Sequence, residues 1–247
     1  MKFLRTLIFT ICSVLFFVPL ASQTSTSAAE MGMSVFHRTM LRSEDHRIYP
    51  QIPLTSEVLC PPLPASTGAT ITVTSETELR DRALNASAGT TILIAQGVYN
   101  LGSYVHIVNS GITLRGVTGD RDDVILDFGG MLSGHFGILV EADDVTIADL
   151  TIRNTSDHGV SIQGVDRSIL YNLHIQDTYD QLVKVNPIGD GSEDGLLACS
   201  RIEYTSTALD DYTNGISAHL AHRWVVRDNQ WYRIRGNNGS TGPTILF

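Results

Sequence analysis

Residues 159–177 read GVSIQGVDRSILYNLHIQD, and this stretch decides the fold. Val160 and Ile162 alternate with Ser161 and Gln163, which is the period of a strand with one buried side. A turn follows, and then a second apolar run in which Ile175 stands three residues after Asn172. The same two-strand unit returns along the chain. Its first strand recurs as GILVE from Gly137, GVSIQ from Gly159, LVKVN from Leu182, GISAH from Gly215 and PTILF from Pro243, at spacings of 22, 23, 33 and 28 residues. Its second strand places Ile152, Ile175, Ile202 and Trp231 at equivalent positions. Each lies three residues after Asp149, Asn172, Cys199 and Asp228, at intervals of 23, 27 and 29.

Two sets of positions advancing in step describe a solenoid, each coil laying its strands on those of the coil before, about 4.8 Å away. Within each strand, Ile138/Val140, Val160/Ile162, Val183/Val185 and Ile216/Ala218 are expected to point inward and the residues between them outward. An antiparallel sandwich also shows short strands at regular spacing, but nothing in it repeats residue classes in register. PTILF opens a further coil, so the solenoid is expected to be incomplete at the C-terminus.

Upstream, Ile71-Thr72-Val73-Thr74 reads as a short strand. Ser75 with Glu78 is a capping box, and Leu79, Ala83 and Leu84 give a short helix one apolar side. Gly89 is placed to end that helix. A helix there would cover the open N-terminal end of the solenoid. Thr91 to Tyr99 then reads as a buried strand with a glycine turn.

Residues 30–68, with Pro50, Pro53, Pro61, Pro62 and Pro64, lack periodicity and read as an irregular arm before a β domain at 69–247. Residues 1–29 have the layout of a secretory signal: Lys2 and Arg5, an apolar run from Leu7 to Leu20, then small residues through Ala29. The run is too short for a confident membrane span, and a secreted or periplasmic protein is expected. Loss of Lys2 and Arg5 takes the formal charge from −9 to −11, which argues against a nucleic-acid partner. Cys12 leaves with the signal. Cys60 and Cys199 remain, and a disulfide between them and two buried thiols are both open.

Residues 70–247 resemble right-handed parallel β-helix proteins of the pectate-lyase-like superfamily. The resemblance rests on TELRDRALNASAGTTILIAQGVYNL, similar to an N-terminal cap and first coil, and on GVSIQGVDRSILYNLHIQD and NGISAHLAHRWVVRDNQWYRI. It implies an all-β fold with a short N-terminal capping helix and an extracellular polysaccharide as partner. Superfamily members include polysaccharide lyases, glycoside hydrolases, esterases and non-catalytic adhesins, so the fold does not select the activity. No complete lyase signature is present.

The repeat register adds residue-level expectations. Leu139, Ser161, Lys184, Ser217 and Ile245 should form one outward row, and Glu141, Gln163, Asn186, His219 and Phe247 the next. A strip that gathers Lys184, His219, Gln163, Asn186 and Ser217 suits a sugar groove. For a lyase acting on uronic acids, Lys184 is the candidate base and His219 the candidate acid, with Gln163, Asn186 and Ser217 binding substrate. Just before these strands, Asp157 and Asp180 should face each other on neighbouring coils, which requires a cation or a basic group between them. Oxygen-only ligation suits calcium, with Asp210, Asp211 or Asn214 completing the set; turn aspartates bonded to their own backbone are the simpler reading. Lysis by β-elimination of an acidic glycan leads, a carbohydrate-binding or adhesion module is the alternative, and hydrolysis through Asp157 and Asp180 is weaker.

Three further readings complete the sequence. GDGSEDG at 189–195 reads as an insertion that walls the groove. Trp231 is placed for core packing, and His106 and His174 have no partner that the sequence identifies.

Overall fold

Every strand pairing found between coils is parallel, and the pairings join residues one coil apart. A computed structural model describes residues 60–206, 208, 214–234 and 244–246. Residues 1–29, where a secretory signal is expected, residues 30–59, Asp210, Asp211, Pro243 and Phe247 lie outside the described residues. One sheet stacks Val105–Ile107, Ile138–Val140, Val160–Gln163, Val183–Asn186, Ile216–Ala218 and Ile245–Leu246 in chain order. The second sheet is built on Thr70–Val73, Thr91–Ile94, Thr113–Gly116, Thr146–Thr155, Ile169–Thr178, Leu196–Ala198 and Val225–Arg227, with shorter strands alongside. This is a parallel β-helix, and parallel connections of this kind are right-handed.

Inward positions form continuous apolar columns. Val105, Ile138, Val160, Val183 and Ile216 make one, and Ile92, Leu114, Ile147, Leu170 and Leu197 another, all at most 1% exposed. Each such side chain contributes about 1.5–3 kcal/mol by leaving water. The expected equivalence of Ile152, Ile175, Ile202 and Trp231 is the observed register, and Trp231 packs against the core.

The glycine that opens several repeats has a steric cause. A Cβ on Gly137 would lie 1.9 Å from the carbonyl oxygen of Gly159, and one on Gly159 would lie 2.7 Å from that of Leu182. The backbones of successive coils meet at this corner, so a side chain there would push the ladder apart.

The helix spans Glu76–Asn85, with Ser75 as N-cap accepting from the Glu78 amide and Glu78 accepting from the Thr74 amide. It buries Leu79 and Ala83, whereas Leu84, expected on the same side, is 41% exposed. Gly89 does not end it. The chain leaves the helix at Ala86, which is already extended, and Gly89 turns later with φ 77°.

One further expectation is corrected. Ile216 pairs with Ile245 and Ser217 with Leu246, so Leu246, not Ile245, continues the outward row. The last repeat is one residue longer than the motif alignment assumed. GDGSEDG, expected as an insertion that walls the groove, supplies the strand Ser192–Glu193, which pairs with Ala221–His222 as a small third sheet.

Cys60 and Cys199 form a disulfide across a separation of 139 residues. The adjoining strap lies along the outer side of the second sheet. Tyr171 donates to the Pro61 carbonyl at 2.6 Å, Arg115 to that of Pro64 at 3.0 Å, and Leu63 packs against Ala148, Tyr171, Leu196 and Ala198. Closing so long a loop restricts the unfolded chain. Replacing both cysteines by serine is therefore expected to lower unfolding free energy by about 4 kcal/mol, read from urea denaturation with each variant's fold checked by circular dichroism.

Candidate functional site

The outward face of the first sheet carries three linked groups of polar side chains. Backbone register sets the first. Ser161, Lys184 and Ser217 lie on consecutive strands in one row. Lys184 Nζ donates to Ser217 Oγ at 3.2 Å, and that hydroxyl lies 3.3 Å from His219 Nε2. Ser217 is buried and His219 exposed. One hydroxyl thus joins an amine to an imidazole, the two groups expected to move protons.

The second group is made of Gln163, Asn186 and Ser161. Gln163 Nε2 donates to Ser161 Oγ at 2.9 Å, and Asn186 Nδ2 donates to Gln163 Oε1 at 3.2 Å and to Ser161 Oγ at 3.3 Å. These bonds fix both amides in the plane of the face while each stays partly exposed.

The third lies in the turns that lead into these strands. Asp157, His158 and Asp180 each offer a ligand-type atom, all within 4.8 Å of one another. The backbone amides of His158 and Gln181 donate to Asp157 Oδ1 and Asp180 Oδ1, at 2.8 and 3.0 Å, as the turn-aspartate reading expects. His158 Nε2 lies 3.2 Å from Asp157 Oδ1. The basic group required between the two carboxylates is therefore an imidazole of this chain, with Lys184 also close enough to act electrostatically. His158 stood in the repeat register beside these aspartates; what the sequence concealed was that its ring turns back toward them.

Burial displaces three proton equilibria here. It holds the Lys184 ammonium below the ordinary lysine value, and the negative charge of Asp180 only partly restores it. It pushes the Asp180 carboxyl up, with Asp157 adding to the rise and His158 opposing it. It pushes His158 down against the pull of both aspartates. Displaced values gathered on one surface are a mark of sites built for proton transfer.

The same face continues upstream through a strand that motif matching did not include. Val105–Ile107 pairs with Ile138–Val140, placing His106 beside Leu139 and so in line with Ser161 and Lys184. His106 has a partner after all, Glu141 at 2.8 Å, as does His174, whose Nε2 lies 2.8 Å from Glu203. The signal was the alternation Val105-His106-Ile107, which lacks the opening glycine. Trp224 and Trp231 are not on this face; both pack against the core.

Fold and face together define a parallel β-helix protein with a connected polar cluster on the outward side of its first sheet and in the turns that lead into it. Its architecture is the parallel β-helix that the resemblance of residues 70–247 implied. No family model matches the chain, and no curated protein matches it in sequence. Among solved structures it is similar to an alginate lyase from Paenibacillus sp. str. FPU-7, at 15% identity and TM-score 0.40 over 67% of this chain and 76% of that one. It is also similar to ORF18 of Geobacillus virus E2, at 17% identity and TM-score 0.39 over 57% of this chain and 36% of that one. A third is a pectin methylesterase in complex with a hexasaccharide, at 18% identity and TM-score 0.34 over 58% of this chain and 50% of that one. The chain thus spans half or less of the last two.

Asp180 offers a test of the electrostatics. Its carboxyl sits above the ordinary aspartate value of about 3.9, so its ionisation costs the folded state stability above that pH and nothing well below it. Asp180→Asn keeps the oxygen that accepts from Gln181 and removes the charge. The variant is expected to be more stable than the parent near neutral pH, with the gain vanishing below about pH 3.9, as measured by urea denaturation across that range.

Proposed function

We propose that the protein is a secreted polysaccharide-active enzyme that cleaves an acidic glycan by β-elimination. The observation that carries this reading is the Lys184–Ser217–His219 chain on an open sheet face, with the amine desolvated and the imidazole exposed. Neutral Lys184 takes the proton next to the sugar carboxylate. The amides of Gln163 and Asn186 face the enolate-like charge that develops. The carbon–oxygen bond to the leaving sugar breaks as His219 gives a proton to the departing oxygen. The products are an unsaturated uronate end and a free hydroxyl. Ser217, bonded to both groups, passes the proton gained by Lys184 to His219 and restores the starting state.

Hydrolysis fits less well. Asp157 and Asp180 stand together in the turns with the His158 imidazole 3.2 Å from one of them, whereas paired glycosidase carboxylates flank the sugar from opposite sides. Calcium between these aspartates is a separate proposal. His158 brings a nitrogen donor to a cation that prefers six to eight oxygens, so the mechanism advanced here uses none. The disulfide between Cys60 and Cys199 fits an oxidising compartment outside the cytoplasm.

Purified protein should raise the ultraviolet absorbance of unsaturated uronate ends on pectate, alginate or a glycosaminoglycan. Lys184→Ala should lower that rate by roughly 10²–10⁴-fold while glycan binding persists. In kcat/KM against pH, the limb that rises with Lys184 deprotonation is expected below about pH 10.4, the ordinary lysine value. Glycan binding by folded protein with no absorbance change on any substrate would replace this reading with a carbohydrate-binding or adhesion module. EDTA is expected to change the rate by less than about twofold; a loss restored by added calcium would reinstate the metal at Asp157 and Asp180.

A further inference from the structure

Where the capping helix meets the first coil, a cleft of about 140 Å³ is lined by Arg80 and Leu84 of the helix and by Ser103, Tyr104 and His106. Three of its features bear on a ligand. Tyr104 is 38% exposed, its ring tilted against His106 with centroids 5.6 Å apart and edge-on to Phe136 at 6.4 Å. Phe136 is itself 43% exposed, so two aromatic rings are left open among the described residues. Arg80 Nε is buried and has no hydrogen-bond partner, although another nitrogen of the same guanidinium donates to Glu76 at 3.3 Å.

The cleft shares His106 with the sheet face that carries Lys184. His106 aligns through Leu139 and Ser161 with Lys184, three strand steps away. At about 4.8 Å per step this is about 14 Å, the reach of a short oligosaccharide lying across the strands. An aromatic ring beside a guanidinium suits one ligand chemistry above others, a sugar ring that presents apolar C–H groups on one face and a carboxylate at its edge. The Arg80 side chain is 42% exposed beyond its bond to Glu76, so its guanidinium is free to meet a carboxylate entering the cleft.

We infer that this cleft is a distal subsite that holds an acidic sugar residue of the same polysaccharide chain whose scissile bond lies at Lys184. Tyr104 covers the ring and Arg80 meets its carboxylate. The inference deepens the proposed function and rests on its placement of substrate along the first sheet. It makes the protein length-selective: long chains reach both places, and short ones reach one.

The test measures calorimetric binding of oligogalacturonate and oligomannuronate, each as disaccharide and hexasaccharide, to the full chain carrying Lys184→Ala, which prevents turnover. With at least one of the two sugars the hexasaccharide is expected to bind more tightly. Adding Tyr104→Ala or Arg80→Gln should weaken that hexasaccharide about tenfold and leave the disaccharide unchanged, while Tyr104→Phe should retain the affinity. Thermal melts of each variant separate loss of the subsite from loss of the fold. Equal weakening of both lengths, no weakening of the hexasaccharide, or no binding of either hexasaccharide overturns the inference. If length selectivity and its dependence on Tyr104 appear but the protein with Lys184 intact shows no lyase activity, the subsite stands and the lyase reading falls.

Discussion

The structure depends on the hydrogen-bond ladder that ties each coil to the next. Parallel strands without sequence-adjacent partners gain nothing until a whole coil has wound round, so every coil must present the same backbone path at the same height. That condition explains features that look unrelated. It places glycine at 137 and 159, where carbonyl oxygens of the next coil occupy the space of a Cβ. It also places Asp149, Asn172, Cys199 and Asp228 at one repeated bend, all with φ between 48° and 57°. Asparagine and aspartate tolerate that left-handed backbone better than most residues, and Asn172 reinforces the bend by donating to Asp149 at 2.8 Å.

The ladder also makes the candidate site. Residues far apart in sequence, such as Ser161, Lys184 and Ser217, become neighbours because register leaves them no other position. Side chains on a flat parallel sheet shield one another from water, which displaces the proton equilibrium of Lys184. In the adjoining turn the same stacking brings Asp157 and Asp180 together, and their mutual repulsion is relieved by His158 and by the raised affinity of Asp180 for its proton. Packing and reactivity thus share one geometric origin.

The parts of the molecule that were legible in the sequence are those governed by period and register. Inward columns, the row through Ser161, Lys184 and Ser217, and the helix cap at Ser75 follow from alternation and spacing alone. Features set by side-chain direction or by irregular turns were not legible. The contact of His158 with Asp157 needs the ring's orientation, and the hydrogen bond between His106 and Glu141 needs a coil that lacks the opening glycine. The slip of one residue at Ile245 arose because the proline of PTILF was aligned with a glycine that the structure matches to Thr244. Cys60 and Cys199 were compatible with two states, and only the folded path of the strap brings their Cα atoms to 5.6 Å.

The third sheet changes how the fold can vary. Repeat length grows from 23 to 33 residues, four of the ten entering with GDGSEDG and six between residues 203 and 216, yet Lys184 and Ser217 on either side stay paired without a shift. The extra chain enters between strands rather than within them, and at the first of the two places Ser192–Glu193 finds its own partner strand. Length and chemistry are therefore uncoupled in this architecture: the corner at 188–195 is open to insertion and deletion, so a lineage can remodel the flank of the molecule while inheriting its working face unchanged.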